Sequence, residues 1–134
     1  GGRPVKTQLL AWLCIASGGG IGALSRFALG GWIQARTVGD FPAGTLLVNL
    51  SGCLVFGLLY GWLGAGISQQ LRGLLFTGML GGFTTFSTFG FETVNLLQRG
   101  QQGTALIYLA ASIVGGLLAA WLGLTIGGVW KTEA

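Results

Sequence analysis

The sequence predicts an all-α integral membrane protein of four transmembrane helices, the third broken near its middle. Three observations predict it. Only 7% of the 134 residues are charged while 51% are hydrophobic, whereas soluble domains carry about 25% charged residues. Four apolar stretches each reach the ~20 residues that cross about 30 Å of hydrocarbon. The third stretch is interrupted by the polar segment Gly-Gly-Phe-Thr-Thr-Phe-Ser-Thr-Phe, Gly81 to Phe89. The loops between stretches are too short to hold a soluble domain, so residues 1–134 read as one membrane domain.

The opening Gly1-Gly2-Arg3-Pro4 lacks an initiator Met. It is read as a cloning remnant, part of an N-terminal segment over residues 1–6. The first span runs from Leu9 to Ile33, with Gly18-Gly19-Gly20 inside it and Arg26 toward its second end. It is long enough to span and has no small-residue cleavage site, so no cleavable signal peptide is expected. After the loop Gln34 to Asp40, the second span runs from Pro42 to Ile67, with Pro42 suited to the first turn of a helix. The third runs from Leu71 to Leu97 and the fourth from Thr104 to Trp130. Trp12, Trp32, Trp62, Trp121 and Trp130 lie mostly near span ends, as in an interfacial aromatic belt. Glycine is abundant, 27 residues. In membranes small residues let helix backbones approach closely.

An even number of spans puts both termini and the second loop on one side. That side holds Arg3, Lys6, Arg72 and Lys131, the other Arg36 and Arg99. Basic residues set orientation, and this bias is weak. Insertion both ways round, with an antiparallel dual-topology homodimer, is the expectation; one fixed orientation with a parallel dimer is the alternative. The net charge of +4 is too scattered to suggest nucleic acid. The chain has no His, which removes the commonest general base. With three acidic residues and no nucleophile–base pair, an enzyme is not expected. Cys14 and Cys53 fall inside apolar stretches and read as packing residues.

Polar groups inside a membrane usually face a partner or a water-filled cavity. Arg26 reads either as snorkelling or as a cation at an anion vestibule. Thr45 and Asn49 are four apart and share a helix face. Asn49 reads as interhelical glue or as an uncharged N–H donor to an anion. In the third span Gly81 and Gly82 weaken the helix, and Thr84, Thr85, Ser87 and Thr88 can bond their own backbone. Either a simple kink results, or a break whose freed carbonyls hold a cation over Gly81 to Thr84. Phe83, Phe86 and Phe89 recur every three residues. Such a stripe packs or faces lipid, or else turns its electropositive ring edges toward a small anion. Glu92 lies one turn further and is out of place on an anion path unless it sits at a mouth, pairs with Arg or is protonated. In the fourth span Tyr108 and Ser112 are four apart and supply O–H donors. They read as helix–helix hydrogen bonding or, with Asn49, as a ladder of neutral donors for a strongly hydrated anion.

Three motifs occur in order on the first three spans: Gly-Gly-Gly-Ile-Gly-Ala-Leu-Ser-Arg-Phe, Gly-Thr-Leu-Leu-Val-Asn, and Gly-Gly-Phe-Thr-Thr-Phe-Ser-Thr-Phe. Together they closely resemble the bacterial Fluc (CrcB) fluoride channels over nearly the whole chain; the third motif is the most specific. The resemblance implies an antiparallel homodimer in the bacterial inner membrane. Two pores, each built from both subunits, would export cytoplasmic fluoride passively. It also implies one structural, untransported Na⁺ at the dimer centre, held by backbone carbonyls of Gly81 and Thr84. By motif position Phe86 and Phe89 match pore-lining phenylalanines and Asn49 a pore-entrance asparagine. Tyr108 and Ser112 resemble a polar track, with Ser87 and Thr88 of the hydroxyl cluster assigned to the pathway. Glu92 resembles a carboxylate near an opening; with Arg26 and Thr45 it is assigned to a vestibule or to structural polar contacts. Two departures are the Arg26-Phe27 ending, where Arg-Tyr or Arg-Trp is common, and Gly116, where some members carry a serine. A small dual-topology drug/proton exchanger is the main alternative, but its mechanism wants a carboxylate in the first helix. A non-transporting structural protein would explain the glycines but neither the broken helix nor the donor stripe.

Overall fold

The computed structural model describes residues 2, 4–64 and 66–128. The chain is helical almost throughout, with four spans long and apolar enough to cross a membrane: Val5–Gln34, Ala43–Leu63, Gln69–Gln98 and Gln102–Gly127. It is a multi-pass membrane protein. Helix α1 (Val5–Gln34) starts four residues before the predicted boundary and α2 (Ala43–Leu63) ends four before it. Pro42 is the N-cap of α2 rather than a residue of its first turn. Gly64, at φ +69°, ends α2 in a conformation that favours glycine. Trp130 and Lys131, like Arg3, lie outside the described residues. The charge count behind the dual-topology expectation leans on Arg3 and Lys131.

The third span is assembled from four pieces. Helix α3 (Gln69–Arg72) runs into a π-helical segment, Gly73–Leu80, then into α4 (Gly81–Phe83). Thr84 and Thr85 are extended, with ψ 154° and 116°. Helix α5 (Phe86–Gln98) completes the span, and α6 (Gln102–Gly127) is the fourth. The helix is therefore broken where predicted, but the break is narrow. Gly81 and Gly82 stay helical, and two β-branched residues with hydroxyls carry the extended turn.

Glycine builds the frame. Gly57 and Gly61 of α2 meet Gly123 and Gly127 of α6 backbone to backbone, so both helices contribute a small-xxx-small pair to one seam. A Cβ on Gly123 would collide with the Leu54 carbonyl and come within 2.8 Å of Leu58 N. On the other side of the molecule Gly18 and Gly22 of α1 press against backbone of residues 74 to 83, and Gly82 presses on Gly19. The side chains of Val48 and Tyr108 are fully buried, whereas Trp12, Trp62 and Trp121 are each more than half exposed.

Candidate functional site

The break has a definite hydrogen-bond structure. In an unbroken helix the N–H groups of Thr85, Phe86 and Thr88 would bond the carbonyls of Gly81, Gly82 and Thr84, four residues back. Each is redirected or replaced. Thr85 N–H donates to Asn49 Oδ1 at 2.8 Å, and Asn49 Nδ2 donates to the Thr85 carbonyl at 3.0 Å. One amide side chain from α2 thus pairs with both backbone groups of Thr85, as a neighbouring strand would. Thr88 N–H donates to Thr85 Oγ1 at 3.3 Å, and that hydroxyl donates to Thr88 Oγ1 at 3.0 Å. Thr85 is the N-cap of α5. The Gly82 carbonyl accepts instead from Arg26 Nε of α1 at 3.1 Å. Thr84 anchors backward, its N–H and hydroxyl both donating to the Leu80 carbonyl at 3.0 and 3.1 Å.

Two cavities meet at this junction. One, of 730 Å³, has Arg26, Thr45, Thr85, Thr88, Glu92 and Arg99 on its walls. Thr45 Oγ1 donates to Glu92 Oε1 at 2.5 Å across it. At its rim the Gln101 amide donates to Asp40 at 2.7 Å, with Arg99 4.0 Å from the same carboxylate oxygen. The second cavity, of 610 Å³, is walled by Asn49, Thr84, Thr85, Phe86, Phe89 and Ser112 among others. The Asn49–Thr85 pair stands between the two.

The rings form a connected set. Phe86 and Phe89 lie 5.8 Å apart between centroids, Phe89 meets Tyr108 edge-on at 5.2 Å, and Tyr108 meets Phe41 edge-on at 5.8 Å. Phe86 is 83% exposed on the single chain. Phe83 leaves the predicted stripe: the break rotates it away, and it packs over Gly52 on the wall of a third, smaller cavity. The hydroxyls of Tyr108 and Ser112 are buried and make no hydrogen bond of good geometry among the described residues, although the Thr45 hydroxyl, which itself donates to Glu92, lies beside that of Tyr108. Buried polar groups are nearly always paired, so two orphans on successive turns of α6 mark a place where something else accepts or donates.

The structure thus gathers Asn49, Phe86, Phe89 and Ser112 around the second cavity and Arg26, Thr45, Thr88 and Glu92 around the first, while Tyr108 lines neither and is buried against Phe41 and Phe89. Ser87 sits at the start of α5, 3.4 Å from the Thr85 hydroxyl, and lines neither of the two large cavities. Sequence reasoning did not single out Thr85 as the hinge or Gly82 as an acceptor. A signal for Thr85 was present: a threonine after a glycine-weakened turn with a second hydroxyl three residues on is an N-cap pattern. Among the described residues no three His, Cys, Asp or Glu cluster to hold a metal.

The profile of a family described as "CrcB-like protein, Camphor Resistance (CrcB)" matches residues 13–124. Among similar proteins is the "Fluoride-specific ion channel FluC" of Azotobacter vinelandii, 48% identical over 116 residues, 85% of this chain and 94% of the relative. The protein of the same name from Pseudomonas putida (strain KT2440) is 49% identical over 121 residues, 88% of this chain and 98% of the relative. The "Fluoride-specific ion channel FluC 2" of Bacillus thuringiensis is 42% identical over 117 residues, 87% and 97% of the two chains.

Proposed function

The chain belongs to the CrcB-like family, and on that premise we propose that it is a fluoride-selective channel that lets cytoplasmic fluoride leave passively. The observation that carries this reading is the pair of orphaned hydroxyls, Tyr108 and Ser112, beside the linked rings of Phe86 and Phe89. Hydroxyl donors and the electropositive edges of phenyl rings replace the hydration of a small, hard anion without a fixed positive charge to trap it. The cavity holding Arg26 serves as the aqueous vestibule, and Asn49 stands where the vestibule gives way to the ring-lined path. Fluoride enters acidified cells as the neutral weak acid and dissociates inside; a selective leak lets the ion out again. The protein acts as a channel and not as an enzyme.

The working unit is an antiparallel homodimer in the bacterial inner membrane, with two pores. The exposure of Phe86 on the single chain supports a second subunit that closes each path. A structural Na⁺ sits between the subunits, bound by the Gly81 and Thr84 carbonyls. The residues fit such an ion: their would-be helical donors, Thr85 and Thr88 N–H, point to Asn49 and to the Thr85 hydroxyl instead. Freed main-chain carbonyls are the ligands that broken membrane helices offer Na⁺.

The test is flux from liposomes loaded with fluoride or chloride. Potential-driven fluoride release is expected, with chloride release at least a hundredfold slower. Phe86→Ile or Phe89→Ile should cut fluoride release more than tenfold while leaving the dimer intact. Proton-coupled exchange of organic cations without fluoride current would establish the exchanger reading instead.

A further inference from the structure

We propose that Arg26 is a positioning residue for the helix break: its Nε–H substitutes for the missing Phe86 N–H on the Gly82 carbonyl and takes that oxygen out of the set open to a cation. The inference rests on the sodium reading above and explains how that site is selected. The break deprives successive carbonyls of their α-helical donors. A cation would compete among them, and the oxygen facing the wrong way would drag the last turn of α4 with it. Arg26 removes one competitor. Its Nε lies 3.1 Å from the Gly82 oxygen, and among the described residues it has no carboxylate partner, although Glu92 lines the same cavity. The contact is built in from both sides. Gly22, one turn before Arg26 on α1, packs on the Met79 carbonyl and the Phe83 backbone, and a Cβ on Gly82 would come within 2.6 Å of the Gly19 carbonyl oxygen. The two backbones are therefore held at a separation that an arginine side chain spans through Nε, with the rest of the guanidinium left on the vestibule wall.

Two roles of Arg26 are separable by side-chain topology. Glutamine carries an N–H donor the same number of bonds from Cα as arginine Nε, without the charge. Lysine keeps the charge but places its nitrogen one bond further out. Methionine matches the length and loses both. The experiment uses the full chain in detergent and in liposomes, with Arg26→Gln, Arg26→Lys and Arg26→Met. Two readouts are taken: the Na⁺ concentration at half-maximal thermal stabilisation, titrated against a large organic cation, and amide hydrogen exchange across residues 83–88. If Arg26 positions the break through Gly82, Arg26→Gln keeps the Na⁺ midpoint within threefold of the parent and keeps the exchange protection. Arg26→Met then raises the midpoint at least tenfold and speeds exchange at the break at least tenfold. Should Arg26→Gln behave like Arg26→Met while Arg26→Lys behaves like the parent, the charge is what matters and the proposal is overturned. An Arg26→Met protein with unchanged exchange also overturns it. If Arg26→Met does not fold, the Gln and Lys variants still decide. If the parent itself shows no Na⁺-dependent stability, the sodium reading falls, and the exchange series alone judges the contact between Arg26 and the break.

Discussion

The seam between α2 and α6 and the break in the third span use the same residue, glycine, for opposite ends. Along the seam, Gly57, Gly61, Gly123 and Gly127 bring two unbroken helices into backbone contact. Both helices run unbroken through the contact, and the glycines contribute only closeness. Around Gly81 and Gly82 the helix gives up its own bonds, and α1 and α2 lean close enough for Arg26 and Asn49 to supply replacements. Non-helical backbone at membrane depth is tolerated only where protein or a water-lined cavity satisfies it. The difference teaches that close packing alone makes a frame, and that a site appears where close packing lets a neighbour's polar side chain reach an opened backbone.

The largest effect is expected from breaking the frame. Gly123→Leu puts a side chain into the Leu54 carbonyl and the Gly57 backbone, where no flexible atom can give way. Overpacking in a tight core costs typically about 1–3 kcal/mol, and here the contact is with backbone, so the cost lies at or above the upper end. Little monodisperse protein should survive size-exclusion chromatography. A well-folded Gly123→Leu protein would mean that the seam is looser than its backbone contacts require.

The intermediate effect is expected at the break. Asn49→Ala removes both bonds to Thr85, leaving its N–H and carbonyl without partners. At about 0.5–1.5 kcal/mol per hydrogen bond, the loss is roughly 1–3 kcal/mol. The protein should fold, with a lower unfolding temperature and faster hydrogen exchange confined to residues 84–88. Fluoride release should fall below a tenth of the parent's. If exchange instead rises evenly along the third span, the Asn49 pair is ordinary interhelical glue and the contrast between frame and site weakens.

How far the sequence foretells this contrast depends on the kind of interaction. Spans and glycine seams are legible because both are set by local composition: an apolar run of sufficient length must cross, and small residues spaced by four must share a face. The polar stretch from Gly81 to Phe89 announces a break for the same reason. What is not local stays hidden. Nothing in the neighbourhood of Thr85 says that its backbone pairs with residue 49, and nothing beside Arg26 says that its partner is a carbonyl 56 positions away. The phenylalanine stripe misleads for a related cause. A spacing of three implies one face only while the helix continues, and the two extended residues between Phe83 and Phe86 send Phe83 to another cavity. Asn49 reads from sequence either as interhelical glue or as a donor to an anion; in the single chain both ends of its amide are engaged by Thr85, with one Nδ2 hydrogen left over.

The smallest effect on stability, and the sharpest division between frame and site, is expected from Tyr108→Phe. The Tyr108 ring is wholly buried and touches Phe41 and Phe89 edge-on; phenylalanine keeps those contacts. Only the orphaned hydroxyl is lost. An unsatisfied buried polar group costs about 1–3 kcal/mol, so in fluoride-free buffer the variant should unfold at the same temperature as the parent or higher. A residue that belonged to the frame would lose stability on truncation, and transport would fall only in step with folding. A residue that belongs to the pathway behaves the other way: stability holds while fluoride release drops at least tenfold, because the donor that meets the ion is gone. Destabilisation with undiminished flux would place the hydroxyl in helix packing and leave Ser112 as the donor of α6.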